Sequence, residues 1–153
     1  MMHAHLRLGA ALVIAAGVFA AACNKDNDSG PARTPNELKL EAHAWNLSQA
    51  TLTDSAVTDS SILSDCMADD SLVFTTSRQY HYVDGSVVCD STVLPYGTGT
   101  WAFNTAEDTL VLNATTGAWN FKVDALTDST LQLTLTDSVA EKAVIREFHF
   151  VTK

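Results

Sequence analysis

Hydrophobic and polar positions alternate with a period of two through the second half of the chain. In "AWNFKVDAL" (118–126) Trp119, Phe121 and Val123 alternate with polar or small residues, and in "STLQLTLTD" (129–137) leucine alternates with glutamine and threonine. Successive side chains of a strand point to opposite faces, so this period predicts strands with one apolar face and one solvated face.

Similar short segments occur from Leu38 onward, separated by a few turn-forming residues, among them Asp84-Gly85, a dipeptide typical of tight turns. The predicted strands are 44–52, 71–76, 79–83, 86–90, 97–104, 108–113, 118–126, 129–137 and 143–151, of which 86–90 has the weakest pattern. About eight closely spaced strands predict an all-β fold, an antiparallel up-and-down meander that closes into a barrel and so removes its exposed edges.

One segment has a helical rather than a strand pattern. In "SSILSDCMADD" (60–70) Ser60 or Ser61 can cap a helix, and Ile62, Cys66 and Met67 fall on one face. The sequence therefore predicts one short helix on the N-terminal side of the barrel.

The N-terminus has a different composition. After Arg7, the 15 residues from Leu8 to Ala22 are apolar and uncharged. This is shorter than the roughly 20 residues that span a bilayer as a helix. A basic start, a short apolar run and small residues at its end predict a secretory signal peptide over 1–22. A buried core helix is the alternative.

The residues that follow bear on where the protein resides. "AAAC" (20–23) resembles the bacterial lipobox, with Ala20 where leucine is usual. The resemblance implies cleavage before Cys23 and acylation of its sulfur and amino group, which would hold the chain on a membrane. Ordinary cleavage, leaving a free Cys23, is the alternative.

Residues 24–36 contain two prolines, a glycine and no large apolar side chain, which predicts a flexible tether. The predicted organisation is a signal peptide (1–22), a tether that starts at the lipidated Cys23 (23–37) and a barrel domain (38–153). The acidic "NKDND" resembles a surface-export signal of Gram-negative lipoproteins, although a soluble linker would look the same. The predicted location is the outer membrane, on its periplasmic or its outer face.

Charge and cysteine content narrow the partners. The chain carries 9 basic and 18 acidic residues, a net charge of −9, which argues against a nucleic-acid partner. If Cys23 carries lipid, Cys66 and Cys89 remain as a pair in an oxidising compartment. Closing the loop between them would stabilise the fold by roughly 3 kcal/mol. Two cysteines without metal-ligand spacing are a poor zinc site.

The order of several motifs resembles the lipocalin-like domains of bacterial lipoproteins. The matching pieces are an early Trp45, "CMADDSLVF" (66–74), Cys89, "GTGTWAF" (97–103) and "ALTDSTLQLTL" (125–135). The resemblance covers roughly 43–151. It implies a small lipocalin-like barrel with a cavity or a packed interior, and a disulfide between Cys66 and Cys89.

Catalytic and metal-binding signals are weak. His43, His81 and His149 remain after processing, but no nucleophile signature such as GxSxG accompanies them. Asp69 and Asp70 supply only two carboxylates before the chain turns apolar, which favours a helix end or a turn over a calcium site. We therefore expect no enzymatic activity, no cofactor and no metal.

Seven aromatic residues are candidates for lining a ligand pocket, although such residues more often belong to the core: Trp45, Phe74, Trp101, Phe103, Trp119, Phe121 and Phe148. The predicted function is that of a lipid-anchored envelope protein that binds a small apolar or amphipathic ligand. The alternative is a structural or accessory component of an envelope assembly, with an exposed apolar patch or an unpaired strand edge for a protein partner. A filled interior without a pocket would count against the first version.

Overall fold

The computed structural model describes residues 32–88, 94–95, 97–139 and 141–152. They fold into a closed antiparallel barrel of eight strands with a short helix on its N-terminal side, as predicted. The elements are α1 (Pro35–Glu41), β1 (Ala44–Thr53), β2 (Ser60–Ser61), a 3-10 turn (Asp65–Met67), β3 (Ser71–Phe74), β4 (Gln79–Val83), β5 (Thr98–Phe103), β6 (Thr109–Ala114), β7 (Gly117–Leu126), β8 (Thr130–Val139) and β9 (Lys142–Thr152).

The barrel follows the order of the chain. Each strand from β3 to β9 pairs with the next, and β9 returns to pair with β1 along nearly its whole length. The first residues of β1 pair with β3, and its last residues pair with the two-residue β2, through Thr51↔Ser61 and Leu52↔Ser60. Every pairing is antiparallel, which confirms the predicted up-and-down meander.

The predicted helix at 60–70 is wrong. This segment begins as β2, because the far half of β1 extends past β3 and needs another strand beside it. The Ile62 N–H then donates to the Ala50 carbonyl at 2.9 Å, and only a single 3-10 turn follows. The apolar face that suggested a helix is real, since Met67 is buried and Ile62 packs on the core.

The helix of the structure lies where the tether was predicted to end. Thr34 accepts from the Glu37 N–H at 3.2 Å, and the Glu37 carboxylate accepts from the Thr34 N–H at 3.1 Å, which together form a capping box. Pro35 occupies the first helical position, where its missing N–H is not needed. These local signals start α1 at Pro35, so the folded unit begins earlier than 38.

The predicted strand at 86–90 is not present over its described part. Residues 86–88 have no strand structure, and 89 and 90 lie outside the described residues. Asp84-Gly85 does not make a tight hairpin, because carboxylates outside the turn hold it: the Gly85 N–H donates to Asp70 Oδ1 at 2.8 Å and the Ser86 N–H to Asp69 Oδ2 at 2.7 Å.

The inward faces of the strands form one core. Its largest fully buried side chains are Trp45, Trp101, Tyr80, Phe74, Phe121, Phe148 and Phe150. The helix α1 packs against β3 and β7 and buries Leu40 completely. Side-chain bonds tie it to the β3–β4 and β5–β6 turns, since Glu37 pairs with Arg78 at 2.5 Å and Asn36 donates to Glu107 at 2.9 Å. We call this side of the barrel, with α1 and those two turns, the plugged end.

Candidate binding site

Five of the seven candidate aromatic residues are fully buried and pack on the rest of the core. They are Trp45, Phe74, Trp101, Phe121 and Phe148. Phe74 meets Trp101 edge to face with ring centroids 5.8 Å apart, and Phe121 meets Phe148 in the same way at 6.0 Å. Contacts of this kind fill the barrel with side chains.

Two of the tryptophans have an evident structural task at the plugged end. The indole N–H of Trp45 donates to the Leu40 carbonyl at 2.8 Å, and that of Trp101 to the Thr75 carbonyl at 3.2 Å. The Arg78 guanidinium lies 4.8 Å from the centroid of the Trp101 ring. These indoles satisfy their polar atom on the backbone. A role for them in ligand binding stays a prediction.

Trp119 is placed differently from the other two tryptophans. It is half-buried, and its ring stacks on that of Phe121 with centroids 6.2 Å apart and an interplanar angle of 12°. It lies on the wall of an open cleft. Phe103 is also half-buried, but it packs against Trp101. Among the seven candidates, Trp119 is thus the one that combines an apolar face with access to an opening.

The cleft exists because two neighbouring strands separate. The ladder between β7 and β8 runs from Leu126↔Leu131 to Lys122↔Thr134 and ends there. Above that point β7 pairs only with β6 and β8 only with β9, within the described part of the chain. We call the two unpaired stretches, 117–121 of β7 and 135–139 of β8, the seam.

The seam encloses a space of about 340 Å³. Its walls are Thr116, Gly117, Ala118, Trp119, Asn120, Leu135, Thr136 and Asp137. Consecutive residues of a strand point to opposite faces, so a space lined by consecutive residues of two strands is bounded by their backbone edges. The volume lies within the range of small-molecule sites.

An ion pair lies next to the seam. Arg146 and Asp137 belong to the inward rows of β9 and β8, and the Arg146 guanidinium donates to the Asp137 carboxylate. This pair was not predicted from the sequence. The signal was present: each charge stands where the period of two places an apolar residue, after Leu133 and Leu135 in β8 and before Phe148 in β9. Charges in the apolar row mark a wet end of the interior.

Tyr80 carries an unmatched polar group inside the barrel. Its ring is fully buried, and its hydroxyl has no hydrogen-bond partner among the described residues. Burial raises the pKa of this phenol above its ordinary value. The ring lies across from Gly99, where an added Cβ would come within 2.6 Å of Tyr80 Cε1. Packing rather than hydrogen bonding sets this position.

The two adjacent carboxylates serve a turn, as predicted. Asp70 is buried and accepts from the Tyr82 hydroxyl at 2.5 Å and from the Gly85 N–H at 2.8 Å. Asp69 is exposed and accepts from both the N–H and the hydroxyl of Ser86 at 2.7 Å. The described residues contain no group of three or more potential metal ligands.

The cysteine predictions extend beyond what the structure describes. Cys66 follows β2 in the 3-10 turn, and its Sγ lies 3.2 Å from Ser64 Oγ. Cys89 and Cys23 lie outside the described residues, as does the signal peptide. The Cys66–Cys89 pairing and the lipidation of Cys23 therefore stay predictions.

The histidines do not share a site. His43 packs edge to face on Trp45 at 5.9 Å, and His81 is a half-buried residue of β4. His149 lines a shallow groove of about 180 Å³ on the outer face with Asp124 and Glu147. Burial opposes ionisation of Asp124, but hydrogen bonds from Lys122 and Thr134 outweigh it and lower the pKa of this carboxyl.

Comparison with known proteins does not extend this picture. No protein-family model matches the chain, and no curated protein matches it. None of the helices in the described residues has the length and apolar character needed to cross a membrane. The fold and the site thus define a closed eight-stranded barrel with an opening in its wall, and the resemblance to lipocalin-like lipoprotein domains stays a prediction.

Proposed function

We propose that the protein is a non-catalytic, lipid-anchored module of the bacterial envelope that binds a small amphipathic ligand in the seam. The observation that carries the proposal is the cleft of about 340 Å³ between β7 and β8. The buried rings of the core leave the aromatic interior as scaffold, so the proposed ligand lies in the wall of the barrel and not along its axis.

The lining of the cleft suits a ligand with an apolar part and a polar part. Trp119 and Leu135 supply the apolar surface. Asn120, Thr136 and Asp137 supply amide, hydroxyl and carboxylate groups that can orient a polar end. The net charge of −9 disfavours ligands with several negative charges.

A fluorescent amphiphile tests the site. Anilinonaphthalene sulfonate titrated into the folded protein should bind in the seam, and Trp119→Ala should weaken binding about tenfold by removing the exposed ring face. Phe103→Ala is the matched control, because Phe103 is also half-buried but packs against Trp101. Equal affinity in the wild type and Trp119→Ala would refute the site.

The proposed lipid anchor and disulfide need separate experiments. The intact mass of protein purified from a Gram-negative host should show loss of 1–22 and the added mass of acyl chains on Cys23. Peptide mapping without reductant should link Cys66 to Cys89. An unmodified Cys23 would refute the anchor, and two free thiols would refute the pairing.

An accessory role in an envelope assembly is the second candidate. Val83, Val87 and Val88 are 46%, 57% and 75% exposed along the chain segment that leaves β4. Exposed apolar side chains grouped in this way suit a protein partner. If this role is correct, the protein extracted from its own envelope should migrate as a complex, and changing the three valines to serine should return it to the mass of a single chain.

A further inference from the structure

We infer that the ligand of the seam is a short, extended peptide segment that adds to the open edges of β7 and β8 as a strand. The inference rests on the site proposed above and names the class of its ligand. In an antiparallel ladder, each residue directs its backbone N–H and C=O to one neighbouring strand only. The ladders therefore show which backbone groups face the seam.

The phase of β7 follows from one hydrogen bond. The Val123 N–H donates to the Asp108 carbonyl at 2.8 Å, on the β6 side. Because this direction alternates along a strand, the backbone N–H and C=O groups of Phe121 and Trp119 also point to β6, where these residues stand opposite Leu110 and Leu112. The backbone groups of Ala118 and Asn120 therefore point into the seam.

The phase of β8 follows in the same way. The Thr152 N–H donates to the Ser129 carbonyl at 3.1 Å, on the β9 side. Since every second residue behaves alike, the backbone groups of Leu135 and Asp137 also bond to β9. The backbone groups of Thr136 and Ser138 therefore point into the seam. Thr134, which has the same parity, does pair with Lys122 of β7. Four donors and four acceptors thus face each other with no ladder partner in the described strands.

Unpaired backbone groups on two facing edges select for another backbone. A strand laid into the seam could bond to Ala118 and Asn120 on one side and to Thr136 and Ser138 on the other, as in other peptides bound by strand addition. Its side chains would alternate, one set packing on Trp119 and Leu135 and the other facing water. A hydrocarbon chain would leave all of these polar groups unsatisfied.

The free protein already has a testable signature. In hydrogen exchange followed by nuclear magnetic resonance, the amides of Ala118, Asn120, Thr136 and Ser138 should exchange quickly. Those of Trp119, Phe121, Leu135 and Asp137 should be protected by the β6 and β9 ladders. Protection of the first set in the free protein would overturn the inference, including protection that grows with concentration, since a second copy of this chain would then occupy the seam.

The binding test uses a capped pentapeptide that alternates threonine and valine, and the same peptide with N-methyl groups on alternate amides. The first should bind and protect the four seam amides. The second keeps every side chain but loses backbone donors, so it should bind at least about tenfold more weakly. Equal binding of the two peptides would overturn strand addition.

Variants at one position provide a second measurement. Asn120→Pro removes a seam N–H that has no part in the β6 ladder, a position where strands tolerate proline. It should abolish peptide binding, whereas Asn120→Ala keeps the N–H and loses only the side-chain amide, so it should weaken binding far less than Asn120→Pro. Unchanged binding by folded Asn120→Pro would refute the inference. If Asn120→Pro does not fold, Ser138→Pro and the N-methylated peptide make the same test.

The outcomes separate this inference from the proposed function. If anilinonaphthalene sulfonate perturbs the seam amides and the peptide does not, the site stands and the peptide assignment is wrong. If neither probe perturbs them, both the site and its ligand class are wrong. Binding of the peptide with protection of the four amides supports both.

Discussion

The plugged end and the seam are opposite in character: the first is closed and the second is open. At the plugged end, side chains of the helix bond to side chains of two turns: Glu37 pairs with Arg78, and Asn36 donates to Glu107. Along the seam, the facing backbone groups of β7 and β8 have no ladder partner in the part of the chain that the structure describes. One end is closed by a helix and salt bridges, and the other stays open between strands that are firmly held on their outer sides.

The difference shows where this fold can accommodate a ligand without losing stability. The interior is filled at the plugged end, where Trp45 and Trp101 are fully buried. At the seam, β7 and β8 retain β6 and β9 as neighbours, so a ladder on the other side of each strand holds its open edge in place. An open edge that is held in place loses little conformational entropy when a ligand adds to it.

The largest expected effect sharpens this contrast between two tryptophans. Trp101→Ala should lower the free energy of unfolding by about 3–5 kcal/mol, because it opens a cavity and removes the ring over which Arg78 lies. Trp119→Ala should cost less than about 1.5 kcal/mol, since its ring is only partly buried and the cleft beside it is already open. Urea unfolding followed by circular dichroism measures both values.

Equal losses of unfolding free energy in the two variants would contradict the comparison, because Trp119 would then contribute as much to stability as a core residue. If Trp101→Ala does not fold, Trp101→Phe replaces it, with a smaller loss that should still exceed that of Trp119→Ala.

The period of two accounts for how much of the fold was predictable. Apolar and polar residues alternate in 118–126 and 129–137 because one face of each strand is buried. The structure has β7 and β8 over these segments. The helix was missed because its start, Thr34 to Glu37, is polar and contains proline, which also describes a tether. The capping box in those residues was the available signal.

The candidate site was predictable only in part. The composition of β7 identified Trp119 as an aromatic candidate, but it could not tell Trp119 from the fully buried Trp45. The difference arises from where a ladder ends, which depends on three-dimensional curvature and not on a residue pattern. Asp137 and Arg146, charges in the apolar rows, were the one hint that the interior is wet beside the seam.

A second prediction concerns the carboxylate that fixes the connection after β4. Asp70→Ala should destabilise the fold by about 2–4 kcal/mol, because the buried Tyr82 hydroxyl and the Gly85 N–H lose a charged acceptor. Asp69→Ala is the matched control and should cost less than about 1 kcal/mol, since its bonds to Ser86 are exposed. If the two variants lose the same stability, the buried hydrogen bonds of Asp70 do not stabilise the connection after β4 more than the exposed bonds of Asp69 do.

The smallest expected loss of stability concerns the charge of Glu37 at the plugged end. Burial opposes ionisation of Glu37, but the bond from the Thr34 N–H and the Arg78 guanidinium outweigh it, so the pKa of Glu37 lies below its ordinary value of 4.5. A carboxyl with a lowered pKa stabilises the fold above that ordinary value, and the contribution disappears as the pH falls through the folded pKa. Glu37→Gln keeps an acceptor for the cap but loses the charge. It should cost about 1 kcal/mol at pH 7, and this cost should shrink as the pH is lowered below the ordinary pKa of a glutamate. The measurement is the difference in unfolding free energy between wild type and variant across this range. A flat difference for Glu37→Gln would mean that the ion pair with Arg78 does not help close this end.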